Sequence, residues 1–242
     1  MTDGLLVAPC SHEAAKYAVM HWHYSRCMPK STLIKYGVWE DGQFIGCVIF
    51  GMGATITYAK SMGVGQFEVC ELVRVALREH KAPVTEIVSK AIKILKANNP
   101  DMRVILSFAD PNQGHHGGIY IAGNWIYLGV TKGAHMFVIK GEEVHPRTVS
   151  GFVRQFGGLR PGETRVTFLQ RTMDPRASVI VPIPKHRYAY PLDRPTRKRL
   201  SKKAQPHPVP RGRGVSGDTP GSRPGGTGSI PVVRSVEGDR HG

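Results

Sequence analysis

The chain has 242 residues, with 33 Lys and Arg against 18 Asp and Glu, a formal charge of +15 and an apolar share of 40%, enough for a sizeable core in one large domain or two small ones. Its longest apolar runs, such as Val104 to Leu106 and Phe44 to Phe50, stop well short of the roughly 20 residues that cross a bilayer, which excludes a membrane span. The first residues lack a basic stretch ahead of an apolar one, and Cys10, Cys27, Cys47 and Cys70 have no CxxC spacing; these features argue against a secretory leader, a zinc ribbon and a disulfide framework, and a cytoplasmic chain with reduced thiols is expected.

Residues 12–22 place Ala15, Val19 and Trp22 at three- and four-residue steps behind Ser11, a helix with its N-cap. Ile34 to Trp39 and Gln43 to Phe50 read as strands joined through Glu40, Asp41 and Gly42, an Asp-Gly hairpin signal. After a glycine-punctuated loop holding Thr57, Tyr58 and Lys60, Glu71 to Leu77 alternates as a third strand. Pro83 opens a helix whose apolar stripe, Val84, Ile87, Val88, Ala91, Ile92 and Leu95, stops at Asn98, Asn99 and Pro100. Arg103 to Phe108 is a buried strand, Gly118 to Asn124 a short helical turn, and Trp125 to Thr131 a further strand. This order predicts an α/β (α+β) fold with a mixed, partly parallel central sheet flanked by helices, in which ligands bind at the carboxyl ends of strands. Asp110 sits just past one such end.

From Arg194 onward, eleven Lys and Arg stand against three acids, with seven Pro and nine Gly in 49 residues. Such a segment buries too little apolar surface to offset its backbone entropy, so a disordered basic tail is expected over 194–242 behind a single domain at 1–193. The domain keeps about half of the net charge. Tail and domain together point to nucleic acid as the partner.

The segment SFADPNQGHHGGIYIAGNWIYLG (107–129) sets an aspartate, two histidines, a tyrosine and a tryptophan around a glycine-rich turn. Its IYIAGNWIYLG end resembles the last helix-strand unit of GNAT acyltransferases, a tyrosine followed by a glycine-aromatic pair. With HWHYS (21–25), KYGVWEDGQFIGCVIFG (35–51), ELVRVAL (71–77) and KHRYAYPL (185–192) in the same order, most of 20–192 resembles the Mom family of phage DNA-modification proteins. The resemblance implies a GNAT-like fold, double-stranded DNA as partner, the host-cell cytoplasm as location, and conversion of adenine to N6-carbamoylmethyladenine, which protects phage DNA from restriction. The alternative is a GNAT-like N-acetyltransferase that uses acetyl-coenzyme A on a protein or small-molecule amine.

Adenine N6 is a weak nucleophile because its lone pair is delocalised into the ring, so something must accept its proton. Position and resemblance together put Asp110 there, as a base or an orienting acceptor, with an N-cap as its plain structural role. Tyr120 matches the tyrosine that protonates the leaving group in many GNAT enzymes. Arg74 is an arginine within an apolar strand, which needs an anionic partner; Glu71 is the structural one. A base must leave the duplex to reach a pocket. Tyr24 is the preferred stacking residue, Tyr36 and Trp125 are further substrate contacts, and His116, beside His115, contacts the turn or a phosphate. Two histidines with Asp110 match an iron triad in residue type, and the resemblance implies iron, yet adjacent histidines point in different directions, which leaves the metal open. Before the helix at 84, REHKAPVTEIV stands where GNAT acetyltransferases carry a glycine-rich pyrophosphate loop, which argues against coenzyme A. Thr85 offers a hydroxyl at that helix opening instead. The group donor is left open, with aminoacyl-tRNA fitting the basic charge and the two-carbon amide.

Overall fold

Antiparallel pairings make the first half of the sheet. A computed structural model describes residues 4–52, 56–131 and 135–207. Strands β1 (Leu5–Pro9), β2 (Leu33–Glu40), β3 (Gln43–Met52) and β4 (Val69–Leu77) are successive antiparallel neighbours. The β2–β3 turn holds Asp41 at φ 52° and Gly42 at φ 78°, the paired left-handed conformation whose twist matches that of the flanking strands. Helix α1 (His12–Trp22) connects β1 to β2, and Ser11 Oγ caps it by accepting from Ala14 N at 3.1 Å. Helix α2 (Ile56–Met62) replaces part of the loop expected before β4, and it buries Ala59 and Met62.

Helix α3 (Val84–Asn98) buries Ile87, Val88, Ala91, Ile92 and Leu95 against one face of the sheet, as its periodicity requires, while Ala15, Ala18 and Val19 of α1 cover the other face. Strand β5 (Val104–Ala109) runs parallel to β4 but pairs with it only from Val69–Val104 to Glu71–Leu106. Past Glu71 the two strands part, which opens the sheet beside the carboxyl end of β5. Helix α4 (Gly118–Ala122) and strand β6 (Ile126–Val130) follow. Strand β10 (His186–Pro191) then inserts between β5 and β6, antiparallel to both, so the order is β1-β2-β3-β4-β5-β10-β6. The mixed, partly parallel sheet flanked by helices is the predicted one; the inserted strand is an addition to it.

Between β6 and β10 the chain builds β7 (Met136–Ile139), β8 (Glu142–Val144), α5 (Pro146–Gln155), α6 (Arg165–Thr172) and β9 (Ser178–Ile180). The three strands form a second sheet, β8-β7-β9, around a core of their own that includes Phe137, Ile139, Val149, Phe168 and Leu169. No element was expected over this stretch, whose helices are short and separated by Gly157, Gly158, Pro161 and Gly162.

The boundary expected at 193 falls too early. Helix α7 (Arg194–Ser201) is capped by Asp193, which accepts from Thr196 N at 2.8 Å, and it carries Pro195 in its first turn. One apolar anchor, Leu200, is fully buried with Ala59, Met62 and Leu106. Composition averaged over the tail hides this local pattern, in which a cap, a first-turn proline and one anchor suffice. The chain continues along the body to residue 207, with Gln205 N donating to Tyr127 O at 3.0 Å. The rest of the expected tail, 208–242, lies outside the described residues. Among the described residues no helix is long and apolar enough to cross a membrane, and the four cysteines form no disulfide.

Candidate active site

The site begins with an irregularity in β4. Opposite β3, Ile49 pairs with Arg74 and Phe50 with Leu72, so Val73 is an extra residue on its strand. Side chains alternate across a regular strand, which would send Glu71 and Arg74 to opposite faces. The bulge resets that alternation. Leu72 and Val75 both join the α3-side core, Val73 and Ala76 both join the α1-side core, and Glu71 and Arg74 are left together where β4 parts from β5.

There they line a cavity of about 130 Å³ with His23, Tyr24, Asp110, His115, Tyr120 and Lys185. Arg74 donates through Nη1 to Val73 O at 2.6 Å and through Nη2 to Cys27 O at 3.4 Å, while its buried Nε has no partner among the described residues. The pairing of Arg74 with Glu71 considered from sequence does not form: no ion pair joins them within 4 Å. Burial raises the Glu71 carboxyl above its ordinary value, against the opposing pull of Arg74 and Lys185. A carboxyl of that kind takes up a proton more readily than an exposed one.

Asp110 is tuned the other way. Burial works to raise its carboxyl, but Lys185 and Asn112 outweigh it and hold the group below the ordinary value. Its Oδ2 lies 2.7 Å from Lys185 Nζ, and its Oδ1 accepts from Asn112 N at 3.1 Å and Asn112 Nδ2 at 2.8 Å. The expected cap is therefore real, and Lys185 and Asn112 together outweigh the effect of burial. As an ionised, doubly anchored group, Asp110 suits orienting a donor better than removing a proton.

Tyr120 is 3% exposed, stacked on Tyr188 at 4.6 Å and edge-on to Trp125 at 5.1 Å. Its hydroxyl lies 2.7 Å from Ser107 Oγ, which itself donates to Leu72 O at 3.0 Å. A serine hydroxyl has one proton, so in this arrangement Tyr120 is the donor of the pair. His23, 4% exposed, is pushed down to about 3 by burial and by its neighbours Arg74 and His115. Its Nδ1 accepts from Ser25 N at 3.1 Å, which leaves the proton of the neutral ring on Nε2. Tyr24, partly exposed at the rim, lies against His23 at 4.4 Å and edge-on to His115 at 5.4 Å.

Not every expected site residue joins this group. Tyr36 is 2% exposed and packs edge-on against Phe50 in the α3-side core, where no ligand reaches it; it alternates into the sheet interior, contrary to the contact expected of it. His116 points outward and contributes only its carbonyl, which accepts from Tyr188 Oη at 3.3 Å; His115 is the histidine that turns into the cavity. Thr85 and Trp125 line a second, larger groove of about 1050 Å³ between α3, α4, β6 and the segment after α7. No group of three or more His, Cys, Asp or Glu able to hold a metal forms among the described residues. With the adjacent histidines pointing apart and both Asp110 oxygens engaged, the iron triad considered from sequence is not assembled.

The amides ahead of α3 are also engaged. Glu40, buried at the end of β2, accepts from Lys81 N at 2.8 Å and Ala82 N at 2.7 Å, and Pro83 has no N–H to offer. Where a diphosphate would need free backbone donors, a carboxylate of the chain already holds them. His23, Glu71 and Lys185 are the cavity side chains least visible in the sequence: His23 caps the end of α1, Glu71 depends on the bulge in β4, and Lys185 on the long-range pairing of β10.

The model of the Mom protein family matches residues 4–209. The chain is also 25% identical over 207 residues to methylcarbamoylase mom of Escherichia phage Mu, covering 80% of this chain and 79% of that protein. Because the matched span includes every strand of both sheets, the bulge, the cavity and α7, the chain belongs to the Mom protein family.

Proposed function

We propose that this chain is a GNAT-like transferase that modifies DNA, converting adenine to N6-carbamoylmethyladenine and so shielding phage DNA from restriction. The observation that carries the reading is the convergence of Glu71, Arg74, Asp110 and Tyr120 on one small cavity, in a chain whose phage Mu relative is named a methylcarbamoylase. A cavity near 150 Å³ holds a benzene ring. The 130 Å³ here thus suits the amine-bearing edge of a flipped base, with Tyr24 at the rim to stack on the remainder.

Roles follow from the tuning of each group. As the new bond to N6 forms, N6 must lose one proton, and Glu71 is the carboxyl suited to take it. Asp110 accepts from the amine and orients it. Arg74 Nε, buried and unpartnered, meets negative charge on the donor, and Tyr120 supplies a proton to what leaves. The larger groove, with Thr85 and Trp125 on its wall, holds the body of the donor. An acetyl-coenzyme A reading is disfavoured by Glu40, which fills the amides a pyrophosphate would use.

The test is nucleoside mass spectrometry on total DNA from bacteria expressing the chain, beside an Arg74→Ala variant. A heavier deoxyadenosine made only by the intact chain supports the reading. Unmodified DNA despite good soluble expression of the intact chain overturns it for that host and its donors.

A further inference from the structure

The second sheet and its helices have no part in the cavity, yet the chain that leaves them runs straight to its rim. Ile183 N donates to Asn112 Oδ1 at 3.2 Å and Ile183 O accepts from Asn112 Nδ2 at 3.0 Å; two residues on, Lys185 meets Asp110. The exit of this unit is therefore anchored at the rim of the site. Six arginines of the unit, at 147, 154, 160, 165, 171 and 176, are exposed, and among the described residues only Arg171 of these six has an ion-pair partner, Glu163.

Two of these arginines share a helix face with an unusual neighbour. On α5, Arg147, Gly151 and Arg154 follow one another at four- and three-residue steps, with Thr148 and Gln155 flanking them. Val149, on the other side of the helix, is the residue fully buried in the unit's core. A glycine inside a helix costs stability relative to alanine. Packing within the chain does not demand it here: a methyl group at Gly151 would meet nothing within 4 Å. The face is thus flat at its centre, basic at both ends and unfilled by the fold. Glycine on such a face lets another backbone approach closely, and spaced arginines neutralise phosphates in sequence-independent fashion.

We infer that the α5 face bearing Arg147, Gly151 and Arg154 is the docking surface for the sugar-phosphate backbone of the substrate duplex. This rests on the DNA-modifying reading above and adds to it the place where the duplex is held while one base reaches the cavity. The role assigned to this surface is positional, through neutralisation of phosphates.

The experiment uses the full chain and a fluorescein-labelled 20-base-pair duplex, with affinity read by anisotropy over a range of salt concentrations. The double variant Arg147→Gln/Arg154→Gln loses about two units of the slope of log affinity against log salt, roughly 0.9 for each phosphate contact. A matched loss of charge elsewhere, Lys16→Gln/Lys93→Gln, leaves the slope within half a unit of the parent. Gly151→Gln weakens binding several-fold while raising the thermal midpoint, since glutamine is the better helix former; a destabilised helix would lower both. If the intact chain binds the duplex and the α5 variants bind with the same slope, the docking surface is refuted and the DNA-modifying reading stands. If the intact chain binds no duplex, the reading itself fails. Tighter capture of single-stranded RNA of the same length, lost in the α5 variants, would overturn duplex DNA as the occupant.

Discussion

The small cavity and the large groove lie on either side of Tyr120 and Trp125, and they are built on opposite plans. The cavity is walled by charge, with Glu71, Arg74, Asp110 and Lys185 around some 130 Å³. The groove is about eight times larger and is lined mainly by apolar and aromatic side chains, hydroxyls and amides, with Arg197 lying over the Tyr190 ring at 5.9 Å. In the cavity two carboxyls within one wall are tuned in opposite directions, one up by burial and one down by a lysine. Opposed tuning of neighbouring carboxyls separates a proton acceptor from an ionised anchor. The proposed function divides binding area and chemistry between these two compartments, so substitutions in each should fail in different ways.

The largest effect is expected at Glu71. Glu71→Gln keeps the shape and removes the proton acceptor, and product formation measured by nucleoside mass spectrometry falls about 10²–10⁴-fold. Stability moves the other way. Because the folded carboxyl is raised above its unfolded value, the native state binds the extra proton between the two values, and the parent loses stability as pH rises through that window. The glutamine variant lacks that loss, which a series of thermal melts from pH 4 to 8 would show. Tyr120→Phe should follow, with turnover down about 10²-fold and little change in melting, since the ring keeps its stack on Tyr188. Equal activity in either variant would collapse the division between the compartments.

Glu40→Ala tests the groove side. It leaves Lys81 N and Ala82 N without their acceptor, which costs about 2 kcal/mol in denaturant unfolding. The intact chain should show no saturable uptake of acetyl-coenzyme A by calorimetry; saturable uptake would restore the acetyltransferase reading. A smaller change is expected for Lys185→Met. Asp110, held below its unfolded value, adds stability that is present above the unfolded value and lost as pH falls through the folded one. Losing a half-exposed lysine removes less than about 1 kcal/mol of this, seen as a shallower decline in stability as pH falls below the ordinary aspartate value. Smallest of all is Tyr36→Phe, which leaves product formation unchanged because the residue is inside the core.

Legibility followed the range of the interactions. Helix α1, the Asp41–Gly42 hairpin and the stripe of α3 were readable because a cap, a two-residue turn and a 3.6-residue period are all local signals. Arg74, Asp110 and Tyr120 were readable from motif and strand position. Lys185 was not, since its meeting with Asp110 depends on β10 entering the sheet between β5 and β6, 75 residues along the chain. Glu71 was visible as a partner for Arg74, while the bulge that sets the two side by side without pairing them leaves no trace in residue type. Helix α7 was lost in the average composition of the tail.

The extra residue in β4 works as a phase shifter for charge. Inserting one residue into β3 between Ile49 and Phe50 would give Val73 a partner, restore the simple alternation of β4 and send Glu71 and Arg74 to opposite faces, one of them into the oily layer of Leu72 and Val75. A single-codon change could thus switch off the chemistry while leaving every residue named in the cavity present in the sequence. Homologues that keep all the motif letters but pair these two strands without the slip in register would be inert look-alikes, and the relative lengths of β3 and β4 would tell them apart where residue identity does not.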